Sequence, residues 1–222
     1  MGATVALLHT SPVLTPTFGA LAASMLPGAR VFHMVDESLI KNTIRAGRLE
    51  KSTIRRVARH VESAAEAGAD LVLVTCSSIG PAVNVARMLF DFPVLRIDEP
   101  MAQRAVETGS RIGVLATLVT TLEPTVALVR DTAAAAGRPV EVTPLLCEGA
   151  FEAVIAGDTA THDRMVLEGL SRLAAQVDVV VLAQASMARV AASAECAVPV
   201  LSSPALAMER VAEEIAALAA RR

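Results

Sequence analysis

The chain has 222 residues, of which 53 % are hydrophobic and 19 % charged, and its formal net charge is −3. Such a stock, rich in Ala and Val, supplies a core for helices packed on sheets. Five Phe, no Trp and no Tyr leave little to stack on bases, and the absence of a long basic run excludes nucleic acid and anionic membrane surfaces as partners.

Residues 1–29 carry no Asp, Glu, Lys or Arg. A secretory leader would begin with basic side chains and continue as an unbroken apolar run. Here Met1-Gly2-Ala3-Thr4 has no basic group, and the run is broken by His9-Thr10-Ser11-Pro12 and by Thr15-Pro16-Thr17. Strand, loop and helix is therefore the expected order. No other segment approaches the ~20 apolar residues that cross a bilayer. Cys76, Cys147 and Cys196 are odd in number and lack metal-type C-x-x-C spacing, so neither a metal site nor a disulfide framework is expected, and a soluble protein of the reducing cytoplasm is.

Short β-branched runs predict strands at 4–9, 30–35, 70–75 and 92–97, then at 111–116, 139–144, 178–183 and 198–201. Helical patterns lie between them at 50–67, 81–89, 100–108, 161–175 and 205–220. Continuous apolar strands alternating with helices imply parallel sheets covered on both faces. The pattern also repeats. Asp70 and Asp178 are 108 residues apart, Pro93 and Pro199 are 106 apart, and Val5-Ala6-Leu7-Leu8 matches Ile112-Gly113-Val114-Leu115 at 107. The expected architecture is α/β with two pseudo-symmetric lobes, each a small parallel sheet flanked by helices. Residues 1–98 with 205–222 form one lobe and 99–204 the other. Ligands of open parallel sheets bind beyond the carboxyl ends of the strands, so a cleft between the lobes is the expected active site.

Small hydroxyl residues crowd those strand ends: Thr10 and Ser11 after the first strand, Thr75, Ser77 and Ser78 after the third, Thr117, Thr120 and Thr121 after the fifth, and Ser186 beyond Gln184-Ala185 after the seventh. Each is an ordinary helix cap on its own. Together, with free N–H groups at helix starts, they suit a small carboxylate. Cys76 stands at a strand end before Ser77-Ser78 and Pro81, where a following helix would lower its pKa and make it a thiolate base. A buried structural Cys is the plainer alternative. Cys147 and Cys196 occupy no matched strand end and are read as structural. His9, His33, His60 and His162 have no evident Cys or Ser partner in sequence. No G-x-S-x-G elbow, P-loop or G-x-G-x-x-G fingerprint is present.

The run Leu73-Val74-Thr75-Cys76-Ser77-Ser78, with Arg96-Ile97-Asp98-Glu99-Pro100, Ile112-Gly113-Val114-Leu115-Ala116-Thr117 and Val180-Val181-Leu182-Ala183-Gln184, resembles the aspartate/glutamate/hydantoin racemase superfamily. The resemblance implies two pseudo-symmetric α/β lobes, no cofactor, and proton transfer at a carbon between two cysteines, one per lobe. Cys76 matches the first-lobe cysteine. Gln184 stands at the second, and an amide has no acid–base chemistry at neutral pH. The implied activity is a cofactor-independent isomerase or racemase of a small carboxylate or carbonyl compound. Cys76 would be acid/base or nucleophile, and Thr10, Ser11, Thr75, Ser77, Ser78, Thr117, Thr120, Thr121, Gln184, Ala185 and Ser186 would bind the substrate. A decarboxylase on the same scaffold and a non-catalytic carboxylate-binding protein are the alternatives. A homodimer is the default assembly.

Overall fold

A computed structural model describes residues 2–221. They form two compact units, residues 2–97 with 204–221 and residues 98–203. In the first, β1 (Thr4–His9) leads through α1 (Thr15–Met25) to β2 (Arg30–Val35). Then follow α2 (Glu37–Ala46), α3 (Lys51–Glu66), β3 (Leu71–Val74), α4 (Pro81–Ala86) and β4 (Val94–Arg96). The sheet order is β2-β1-β3-β4, all parallel. Every residue of β1 and β3 is buried, as continuous apolar runs require of central strands. Ala6, Leu8, Val72 and Val74 pack one face against Leu39 of α2, Val57 and Val61 of α3, and Ala82 and Val83 of α4. On the other face His9 meets Phe18 of α1, ring centroids 5.4 Å apart.

The second unit repeats the plan. It holds α5 (Glu99–Thr108), β5 (Arg111–Ala116), α6 (Val119–Ala135), β6 (Glu141–Leu146), α7 (Ala150–Ile155), α8 (Thr159–Ala174), β7 (Val179–Leu182), α9 (Ala188–Ser193) and β8 (Val200–Ser202). Its parallel sheet has the order β6-β5-β7-β8. The last helix, α10 (Ser203–Ala220), returns the chain to the first unit from Pro204 onward. Among the described residues, no helix is long and apolar enough to cross a membrane.

The residues that match between halves do the same work in each. Asp70 accepts a hydrogen bond from the Thr4 amide at 2.8 Å, and Asp178 accepts one from the Arg111 amide at 2.8 Å. Each carboxylate thus ties the start of the central strand to the start of its neighbour. The Pro93 carbonyl accepts from Val72 N–H at 3.0 Å, and the Pro199 carbonyl from Val180 N–H at 2.9 Å.

Some boundaries differ from the sequence pattern. The sixth strand runs two residues later than expected, 141–146, and carries an exposed Pro144 within it. It survives there because β6 is an edge strand and proline withholds only an outward donor. The last strand is likewise displaced, to 200–202. Helices α2 and α6 lie outside the helical patterns read from sequence. Only Leu39 and Thr43 of α2 are buried. Helix α6 contains Pro124, which reads as a stop signal.

Candidate active site

In the first unit the carboxyl ends of β1 and β3 lie side by side. The register pairs Leu8 with Val74, so His9 and Thr75 form the next row and Thr10 and Cys76 the row beyond. Cys76 has extended backbone (φ −135°, ψ 116°) and opens a tight 3₁₀ turn, Ser77–Ile79, before α4 begins at Pro81. The residue as a whole is half-buried. The Thr10 and Ser78 hydroxyls and the Ser78 and Ile79 backbone N–H groups are placed to donate to the sulfur as it becomes negative. Thr10, Ser77 and Ser78 are all buried.

The electrostatics correct the sequence reading. A full helix directly after Cys76 would lower the thiol pKa, but a 3₁₀ turn intervenes and α4 has only six residues. Burial pushes the Cys76 thiol up, and the hydrogen bonds from Thr10, Ser78 and Ile79 only partly oppose it. At rest the sulfur therefore keeps its proton, with donors arrayed to receive the thiolate when it forms.

Thr75 and Ser11 sit elsewhere. The Thr75 hydroxyl donates to the Leu8 carbonyl at 3.1 Å and lies 2.8 Å from His9 Nδ1. The Ser11 hydroxyl accepts from Val13 N–H at 3.4 Å and caps the short turn Pro12–Leu14. Both hydroxyls are thus engaged in local structure. Another polar group in this region, Asp36, caps α2 through Ser38 N–H at 3.0 Å. It also holds Arg56 Nη2 at 2.5 Å and His60 Nε2 at 2.8 Å, tying α2 to α3.

In the second unit Thr117 and Gln184 occupy the places of Thr10 and Cys76. The Thr117 N–H donates to Gln184 Oε1 at 2.6 Å, and Gln184 Nε2 donates to Thr117 Oγ1 at 2.6 Å. The two residues lock together, leaving one amide N–H of Gln184 and the Thr117 O–H as donors. Thr121 is buried in the first turn of α6. The neighbouring Thr120 Oγ1 is a buried atom without a hydrogen-bond partner among the described residues. Ala185 and Ser186 lie half-buried in a 3₁₀ turn, Ala185–Met187. No cluster of three or more His, Cys, Asp or Glu with metal-binding geometry occurs among the described residues.

The other cysteines are packing residues. Cys147 is buried, with its thiol pushed up to about 11 by burial, and its sulfur donates to the Met165 carbonyl at 3.5 Å. Cys196 packs against the apolar cluster of the second unit. What sequence reasoning misses is the imidazole pair. His9 Nε2 lies 2.9 Å from His33 Nδ1, and the rings stack with centroids 5.1 Å apart. It follows from the register, which puts His33 beside Leu7, on the same face as His9.

Comparison with known proteins agrees with this fold. Glutamate racemase from Francisella tularensis superposes with a TM-score of 0.77 at 14% identity, covering 98% of this chain and 82% of that one. Allantoin racemase from Klebsiella pneumoniae gives 0.70 at 19%, covering 98% and 89%. Aspartate racemase from Picrophilus torridus gives 0.70 at 16%, covering 96% and 95%. No curated protein matches the chain. The model of the Asp/Glu/Hydantoin racemase family matches residues 8–211, nearly the whole chain including both strand-end regions, and the protein belongs to that family.

Proposed function

We propose that this protein is a cofactor-independent isomerase of the racemase type. Its substrate is a small carboxylate or carbonyl compound, and Cys76 is the group that moves the proton. The observation that carries this reading is the Cys76 sulfur itself. It stands at the end of β3, and it is surrounded by hydroxyl and amide donors from Thr10, Ser78 and Ile79. Those donors stabilise sulfur as it becomes negative during proton removal. A carbon next to a carboxylate or carbonyl is acid enough to give its proton to such a group once the resulting enolate oxygen is stabilised. Thr117 O–H, the free N–H of Gln184 and Thr120 O–H supply uncharged donors of the kind a carboxylate or enolate oxygen accepts.

Gln184 favours a second reading. Its amide neither gives nor takes a proton at neutral pH, and it is bound to Thr117 at both ends. Chemistry with one thiol then suffices: loss of CO₂ from a malonate-type acid leaves a carbanion, and a thiol that keeps its proton at rest is suited to quench it. Here the C–CO₂ bond breaks, its electron pair stays on carbon, and the Cys76 proton forms the new C–H bond. The thiolate left behind recovers a proton from water.

The test is proton NMR in D₂O with a panel of amino acids, hydroxy acids, malonates, maleate and short keto sugars, wild type against Cys76→Ala. Loss of one substrate C–H signal with wild type only is the expected result. Products then separate the readings: inverted configuration means racemase, exchange without inversion means one-face isomerase chemistry, and CO₂ with one C–D bond means decarboxylase. Equal exchange by folded Cys76→Ala, or none by wild type with any compound, would overturn the role of Cys76.

A further inference from the structure

The face of the first sheet that bears His9 is otherwise apolar. Leu7, Leu71 and Leu73 are fully buried on the central strands there. A polar chain in such a place is tolerated when each member finds its partner. The partners here have one consistent direction. Thr75 spends its only proton on the Leu8 carbonyl, so it must accept from His9 Nδ1–H. Neutral His9 then has a bare Nε2, which accepts from His33 Nδ1–H. The tautomers are thus fixed by the hydrogen-bond order. The main chain of His9 is also held, its carbonyl accepting from Asp36 N–H at 3.0 Å.

This chain spans β2, β1 and β3 and ends one row before the thiol. His9 and Thr75 are followed directly by Thr10 and Cys76, whose side chains meet. We propose that His33 and His9 are positioning residues that hold the Thr10 hydroxyl on the Cys76 sulfur. Without the imidazole link, the ends of β1 and β3 are joined on this face only by main-chain bonds and the Thr75 hydroxyl on the Leu8 carbonyl, neither of which fixes Thr10, whose hydroxyl is then free to turn away. The significance of this for turnover rests on Cys76 acting as proposed above, but the geometry itself is tested on the sulfur alone.

The experiment follows alkylation of Cys76 by iodoacetamide against pH. It is read on the Cys76 peptide by mass spectrometry, so that Cys147 and Cys196 do not contribute. His33→Leu removes the donor to His9. His33→Asn keeps an N–H where Nδ1 stood, and His33→Gln puts it one atom too far. Thr10→Val removes the hydroxyl. His33→Leu and His33→Gln are expected to raise the alkylation midpoint toward that of Thr10→Val. The shift should approach one pH unit, about tenfold in rate at a fixed pH below the midpoint. His33→Asn should restore the wild-type midpoint. The double variant His33→Leu/Thr10→Val should match Thr10→Val alone. A wild-type midpoint in folded His33→Leu or His33→Gln would overturn the proposal. So would failure of His33→Asn to restore it, or additive shifts in the double variant. If His33→Leu does not fold by thermal melting, His33→Gln carries the comparison. Alkylation needs no substrate, so absence of proton exchange would count against the proposed reaction and leave this result standing.

Discussion

Residues that look alike in sequence divide sharply by what their atoms touch. Thr10 serves a sulfur, Thr75 serves a carbonyl and an imidazole, and Thr117 is clasped by an amide. The clasp has a stability consequence. Gln184→Leu leaves the Thr117 N–H and hydroxyl without their partner, and a cost of about 1–3 kcal/mol in urea unfolding is expected. Gln184→Glu keeps the acceptor for Thr117 N–H and should cost less. The imidazole pair has a pH consequence. Burial, reinforced by the neighbouring His33, lowers His9 to about 4 from an ordinary 6.5. Below pH 6.5 the unfolded chain binds a proton that folded His9 refuses until about pH 4. Stability is therefore lost as pH falls through that window and is unaffected above it. Melting temperature against pH should show this decline in wild type and a shallower one in His9→Asn, which keeps an N–H toward Thr75 but does not titrate.

Elements are held in register by single polar or small residues at their ends. Asp178 is lowered to about 2, first by its hydrogen bonds with the Arg111 side chain and then by Arg111 N–H. Its contribution is present above the ordinary carboxylate pKa near 3.8 and disappears as pH falls toward 2. The difference in melting temperature between wild type and Asp178→Asn should accordingly be constant at neutral pH and shrink below pH 4. Close packing sets a second constraint. A Cβ at Gly169 of α8 would lie 2.8 Å from Cys147 Sγ and 2.9 Å from Leu115 Cδ1. Gly169→Ala should destabilise by about 1–3 kcal/mol through overpacking, despite the gain in helix propensity. Chemical denaturation decides the sign.

At the scale of the whole chain, the repeat was the most legible feature. Apolar strands announce themselves as unbroken β-branched runs, and the matched Asp and Pro pairs turn out to make equivalent hydrogen bonds in both halves. The place of Cys76 at a strand end was legible too, but not the 3₁₀ turn that follows it, because Ser-Ser before Pro81 reads as the start of a helix. Less accessible were features that need a partner from another strand. The hold of Gln184 on Thr117 and the link of His33 to His9 depend on register, which no local pattern contains. Helix α6 stayed hidden behind Pro124 because a local rule about proline was overridden by the packing of Val126 and Val129. The strand orders carry their own expectation. Amides of β1, β3, β5 and β7, central in their sheets, should exchange slowest in hydrogen-exchange mass spectrometry, and those of the edge strands β2 and β6 faster.

Pro144 on the edge strand β6 bears on how this protein survives at high concentration. A free strand edge is a template on which another chain can add a strand and begin a fibre. An exposed proline interrupts that template by removing a donor that an incoming strand would need. Pro144→Thr should leave the family chemistry intact yet make the concentrated protein aggregate sooner on warming, as light scattering would register.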